Sequence, residues 1–183
     1  MHSKTRVART GLALVLALAS AGITRSAAAQ APSVDATCVG SLTMSFSPPV
    51  AFLLPPATGP FSVVTGTGSI TTCAALDGGA TTGTFAFELS GHLTCTSAGT
   101  ATGTLDIEWA DASESHVELT NLLLGFTSVG GAASLTGTVT SGRFAGDQLQ
   151  VVNVRNPLAY LHCLLTGLSQ TTGTPTLIFT DLE

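Results

Sequence analysis

The chain has 183 residues, 44% of them hydrophobic and only 9% charged, with four cysteines, one Trp and one Tyr. Four of its six basic residues, Lys4, Arg6, Arg9 and Arg25, precede Gln30; from there to Glu183 two arginines face all eleven carboxylates, a formal charge of −9. Such a surface repels nucleic acid and anionic lipid, which removes both from the expected partners.

Residues 1–29 read as a secretory signal: a basic start, an apolar run from Gly11 to Thr24, and Ala27-Ala28-Ala29 as a small-residue cleavage site. That run is too short for a membrane span. The expected exported product, residues 30–183, is long enough for one domain with one core.

The first strand is predicted from Cys38 to Phe46, where Cys38, Gly40, Leu42, Met44 and Phe46 alternate with polar or small residues. Ser47 to Pro60 holds five of the eight prolines and is expected to leave the ladder as a long loop, because proline has no N–H to donate. Its apolar residues Phe52, Leu53 and Leu54 either cover one end of the core or form a lid or docking patch. A second strand runs from Phe61 to Cys73, and Asp77-Gly78-Gly79 turns the chain.

A hairpin follows. Phe85, Phe87, Leu89, Leu93 and Cys95 share one face, the stretch from Ser97 to Thr100 turns, and Leu105, Ile107 and Trp109 share the returning face. His116 to Phe126 fits either a strand or a helix, and its neighbours favour the strand. Ala133–Phe144, Gln148–Val154, Ala159–Thr166 and Thr174–Leu182 complete the predicted strands. Turns are expected at 145–147, Asn156-Pro157 and 169–172. Thr-Gly-Thr recurs around Gly66, Gly83, Gly103, Gly137 and Gly173, where glycine relieves crowding as a sheet coils. The prediction is an all-β domain, a single antiparallel meander of about nine strands closing as a β-barrel, with a two-sheet sandwich as the alternative.

Four cysteines in an exported chain imply two disulfides. If the first two strands pair across the proline loop, residues whose numbers sum to about 110 face each other. Cys38 then meets Cys73, and Cys95 is left for Cys163. The competing arrangement is a zinc site built from His92, Cys95, His162 and Cys163, disfavoured by export and by the opposite faces that neighbours take on a strand.

The acidic stretch from Asp106 to Glu118 is the best candidate for chemistry. Asp106, Glu108, Asp111 and Glu114 supply hard oxygens that could hold calcium, and two carboxylates across a cleft could hydrolyse a glycoside. The alternative is a solvated outer face with a polar turn. Trp109, on the inner face, either packs in the core or stacks on a ligand. No nucleophile motif, phosphate loop or glycosylation pattern is present, so no cofactor other than calcium is expected.

The signal segment, the four cysteines, the Thr-Gly-Thr strand starts and the closing Gly173-Thr174-Pro175-Thr176-Leu177-Ile178-Phe179 strand resemble those of the small secreted all-β proteins of actinobacteria that carry no assigned activity. The Thr-Gly-Thr starts are also similar to those of avidin-type barrels, whose aromatic ligand box and lysine-bearing motifs are missing here; no binding residue is carried over. The leading expectation from the whole chain is an exported, disulfide-stapled, non-enzymatic β domain that binds a small apolar ligand inside the barrel or a protein partner at one end. A structural surface protein and an extracellular hydrolase are the alternatives.

Overall fold

The structure is a computed structural model, and it describes residues 32–51, 59–79, 81–95, 98–99, 101–127, 130–155 and 157–182. Alternating residues pair the chain into β1 (Ser33–Val50), β2 (Phe61–Ala75), β3 (Gly83–His92), the two-residue β4 (Ala98–Gly99), β5 (Ala101–Trp109), β6 (Glu114–Thr127), β7 (Gly130–Gly142), β8 (Gln148–Arg155) and β9 (Leu168–Asp181). A nine-residue helix, α1 (Pro157–Leu165), connects β8 to β9.

Eight of these strands form a closed antiparallel barrel. The meander runs β1-β2-β3-β5-β6-β7-β8-β9, and β9 returns to pair with β1. β4 is a short addition beside β6. Closure rules out the sandwich: it satisfies the backbone groups that an open sheet leaves unpaired at its edges. The strands are strongly staggered. Ser45 pairs with Thr65, and successive partners Glu88, Thr104, Glu118, Thr138, Gln148 and Thr180 lead back to β1 at Val34, eleven residues from the start. Such a stagger tilts the strands and widens the lumen.

Large side chains fill that lumen. Phe46, Phe85, Phe87, Trp109 and Phe179 are all 5% exposed or less, with Leu42, Met44, Leu105, Ile107, Leu149 and Leu177 buried among them. Outward positions of β3 and β5 carry Thr84, Glu88, Thr102, Thr104, Asp106 and Glu108, so the wall is hydrated. Burying the inner faces is the main stabilising term, at roughly 1.5–3 kcal/mol per large apolar side chain.

Both disulfides form with the expected partners. Cys38–Cys73 ties two residues already opposite in the β1–β2 ladder. Cys95–Cys163 ties the segment after β3 to α1, and both sulfurs lie within 3.7 Å of the Val50 carbonyl oxygen. With both sulfurs bonded to each other, the zinc arrangement has no thiolate to offer. His92 instead places Nδ1 2.9 Å from the Gly59 carbonyl oxygen and its ring edge-on to Phe61.

Three local expectations are corrected. The strand expected over Ala159–Thr166 is replaced by α1 up to Leu165, because Pro157 suits the first helical position, leucines and alanine follow, and Gly167 at φ +81° lies just past the helix end. The proline segment is shorter as a loop than expected. β1 continues to Val50, and its ladder to β9 skips from Ser45 to Val50, passing over Pro48 and Pro49 where no N–H is available. Residues 169–172 are strand, since β9 starts at Leu168. The ambiguous 116–126 stretch lies in β6 and pairs on both sides as a strand.

Candidate functional site

The acidic stretch folds as the β5–β6 hairpin. Alternation turns Asp106, Glu108, Glu114 and Glu118 outward. The register sets Asp106 opposite His116, with a 2.5 Å contact between Oδ1 and Nδ1, and Glu108 opposite Glu114. Asp106, Glu108, Glu114 and His116 border a depression of about 350 Å³. Asp111 is not brought to them. It lies in the tight turn, where its Oδ1 accepts from the Ser113 backbone N–H at 3.0 Å and from the Ser113 hydroxyl. Those bonds hold its carboxyl below the usual range. Among the described residues no three His, Cys, Asp or Glu side chains converge as a metal site. Phe52, Leu53 and Leu54 lie outside the described residues.

Trp109 faces inward at the end of the barrel where β5 meets β6, the barrel base. Its Nε1–H donates to Ser115 Oγ at 3.0 Å, and that hydroxyl donates to the Arg143 carbonyl at 2.6 Å. The indole packs edge-on to Phe144, which stacks on Phe179 at 4.6 Å between ring centroids. The Arg143 guanidinium lies 4.7 Å from the Trp109 ring and 4.9 Å from that of Phe144. Its Nε and Nη2 donate to Asp77 at 2.8 and 2.7 Å. This fork holds the Asp77 carboxyl below its ordinary range, helped by the Gly79 N–H. The tight turn after β7 makes this possible: Gly142 and Phe144 both adopt positive φ, and a Cβ at Gly142 would come 2.0 Å from the Glu114 carbonyl oxygen.

Beside this plug lies a pocket of about 520 Å³ that no sequence motif marks. Four carboxylates line it: Asp35 from the start of β1, Asp77 from the turn after β2, Asp147 from the turn before β8, and Asp181 from the end of β9. Asp147 is only 6% exposed, and its Oδ2 accepts no hydrogen bond from the described residues. Burial, and then the charges of Asp35 and Asp181, push its carboxyl up to about 6. The expected acidic site on the β5–β6 hairpin did not include any of these four. They lie far apart in the sequence and meet only because four strand ends share one barrel mouth.

No protein-family model, curated protein or solved structure matches this chain.

Proposed function

We propose that the chain is an exported, disulfide-stapled, non-enzymatic β domain that binds a partner at an end of its barrel rather than carrying a ligand inside it. The filled lumen is the observation that carries this reading. An eight-stranded barrel can hold either its own side chains or one small ligand, and here five aromatic rings and a shell of leucines occupy the space. Function then belongs to what the barrel displays, and its base displays four carboxylates around one pocket. Two disulfides suit an oxidising compartment, and no described helix is long and apolar enough to cross a membrane.

The test is native and denaturing mass spectrometry of the protein recovered from the supernatant of an expressing strain. The expected denatured mass begins at Gln30 and lies four hydrogens below the reduced value. The expected native mass contains no retained lipophilic molecule. A retained apolar ligand would overturn the filled-lumen reading, and a chain that stays with the cells would overturn export.

A further inference from the structure

We propose that the pocket at the barrel base binds a small organic cation, an alkylammonium group on a short apolar stem, with Asp147 as its anionic anchor and Asp35 and Asp181 flanking it. This deepens the reading of a domain that binds at its end, and it rests on that reading.

The first step is charge. A carboxylate that is only 6% exposed and lacks a donor on one oxygen is costly to keep ionised unless a cation meets it. The chain has little to offer. After residue 29 it holds no lysine and two arginines, of which Arg143 is forked onto Asp77 and Arg155 ends β8, the strand whose other end adjoins Asp147. Another molecule is the natural source of the missing charge.

The second step is shape. The space of about 520 Å³ is far larger than a bare ion, and Leu76 and Leu182, 79% and 56% exposed, border it beside the carboxylates. No three metal-ligating side chains converge among the described residues. Carboxylates around an apolar rim match a cation on a hydrocarbon stem, which keeps its methylenes on the leucines and its charge on the acids.

The third step is donor geometry. A guanidinium fork is best matched by both oxygens of one carboxylate, as Arg143 finds at Asp77. Asp147 lines the pocket with no such fork among the described residues, its Oδ2 sealed from solvent and unpartnered, and Asp35 and Asp181 line it from β1 and β9. An ammonium group meets such separate carboxylates through its charge and needs no pair of oxygens on one of them, as a planar fork does.

The experiment is calorimetric titration of the exported protein with 1,5-diaminopentane, with Nα-acetyl-lysine methylamide and, separately, with calcium chloride, at pH 5 and pH 7. Saturable one-to-one amine binding is expected, strengthening at least threefold from pH 5 to pH 7 as Asp147 ionises against Asp35 and Asp181, with Asp77 held by Arg143. Asp147→Asn is expected to weaken it at least tenfold and Asp35→Asn about threefold, both variants keeping the wild-type circular dichroism spectrum. Tighter binding of the diamine would identify a free amine as the source of the group, and tighter binding of the capped lysine would identify a protein side chain. Absence of saturable amine binding, equal binding by Asp147→Asn, or calcium binding in its place would overturn the site. A retained lumen ligand in the native mass would instead overturn the underlying reading, so the two failures are distinct.

Discussion

Phe87 packs its ring against Gly66, the residue directly opposite it in the β2–β3 ladder, where a Cβ would come within 2.2 Å of the ring carbons. Phe85 stands in the same relation to Gly68, at 2.3 Å. Gly66 and Gly68 of β2 are therefore the floor on which two cross-strand aromatic rings of β3 lie, and the lumen accepts the rings because that floor has no side chain. Gly66→Ala should lower stability by about 1–3 kcal/mol through overpacking, and Phe87→Ala by about 3–5 kcal/mol through the cavity it leaves. The double variant should cost at least about 0.5 kcal/mol less than the sum, since the new methyl enters space the ring has left. Urea unfolding of all four proteins checks this, and strict additivity would show that the two residues do not share the slot.

The two disulfides should differ in what their loss releases. Cys38–Cys73 reinforces a ladder that hydrogen bonds already hold, whereas Cys95–Cys163 is the covalent tie between α1 and the end of β3. The loop-entropy model gives each about 4 kcal/mol, for sequence separations of 35 and 68. Replacing Cys95 and Cys163 by serine should speed amide exchange throughout 157–165, where Leu161 and Leu165 are already 50% and 81% exposed. Replacing Cys38 and Cys73 should leave that helix's exchange pattern close to the wild type's relative to the barrel strands. Mass-resolved hydrogen exchange separates the two cases, and equal loss of protection in α1 would contradict this assignment.

The barrel base should give the protein an unusual response to acid. The Asp147 carboxyl is raised from 3.8 to about 6, so the folded state holds a proton there that the unfolded chain has released. Its ionisation opposes folding fully above pH 6, and that penalty fades as pH falls from 6 towards 4. A tenfold change in proton affinity is worth about 1.4 kcal/mol, so Asp147→Asn should stabilise the protein at pH 7 on the order of 2 kcal/mol and remove the gain on acidification. Asp77 acts oppositely: Arg143 and Gly79 lower its pKa, so its contribution is present above 3.8 and lost as pH falls through the lower folded value. Melting temperatures from pH 3.5 to 7.5 test both, and a flat wild-type profile between pH 4.5 and 7 would remove the Asp147 effect.

Arg143 joins three elements, and lysine should not replace it. Its side chain is 9% exposed while Asp77 is 45% exposed, so the ion pair alone is worth no more than about 1 kcal/mol. Packing against Trp109 and Phe144 adds to it. Arg143→Lys should cost about 1–2 kcal/mol and Arg143→Ala about 2–3 kcal/mol, both with a shift in Trp109 fluorescence, the only tryptophan signal in the chain. Asp77→Asn should cost about 1 kcal/mol or less and leave the fluorescence nearly unchanged. A lysine variant as stable as the wild type would mean that the stacking contributes nothing.

Much of the barrel was legible in the sequence because strand alternation is local. Phe85, Phe87, Leu105, Ile107 and Trp109 reveal their shared face at a spacing of two, and the proline turn fixes a register that sets Cys38 on Cys73. The helix at Pro157–Leu165 was not legible by that rule, since a nearly continuous apolar run has no clear period; Pro157 and Gly167 were the signals that mark its ends. The carboxylates on the β5–β6 hairpin were found because they are close in sequence, and the fold leaves them on a solvated wall with Asp111 apart. Asp35, Asp77, Asp147 and Asp181 are far apart in the chain, and no pattern of spacing connects them. The sequence by itself determined which residues face the lumen, because that follows from a two-residue period and apolar burial. Only the tertiary structure decided which strand ends meet at the base, because closure and stagger are properties of the whole ring.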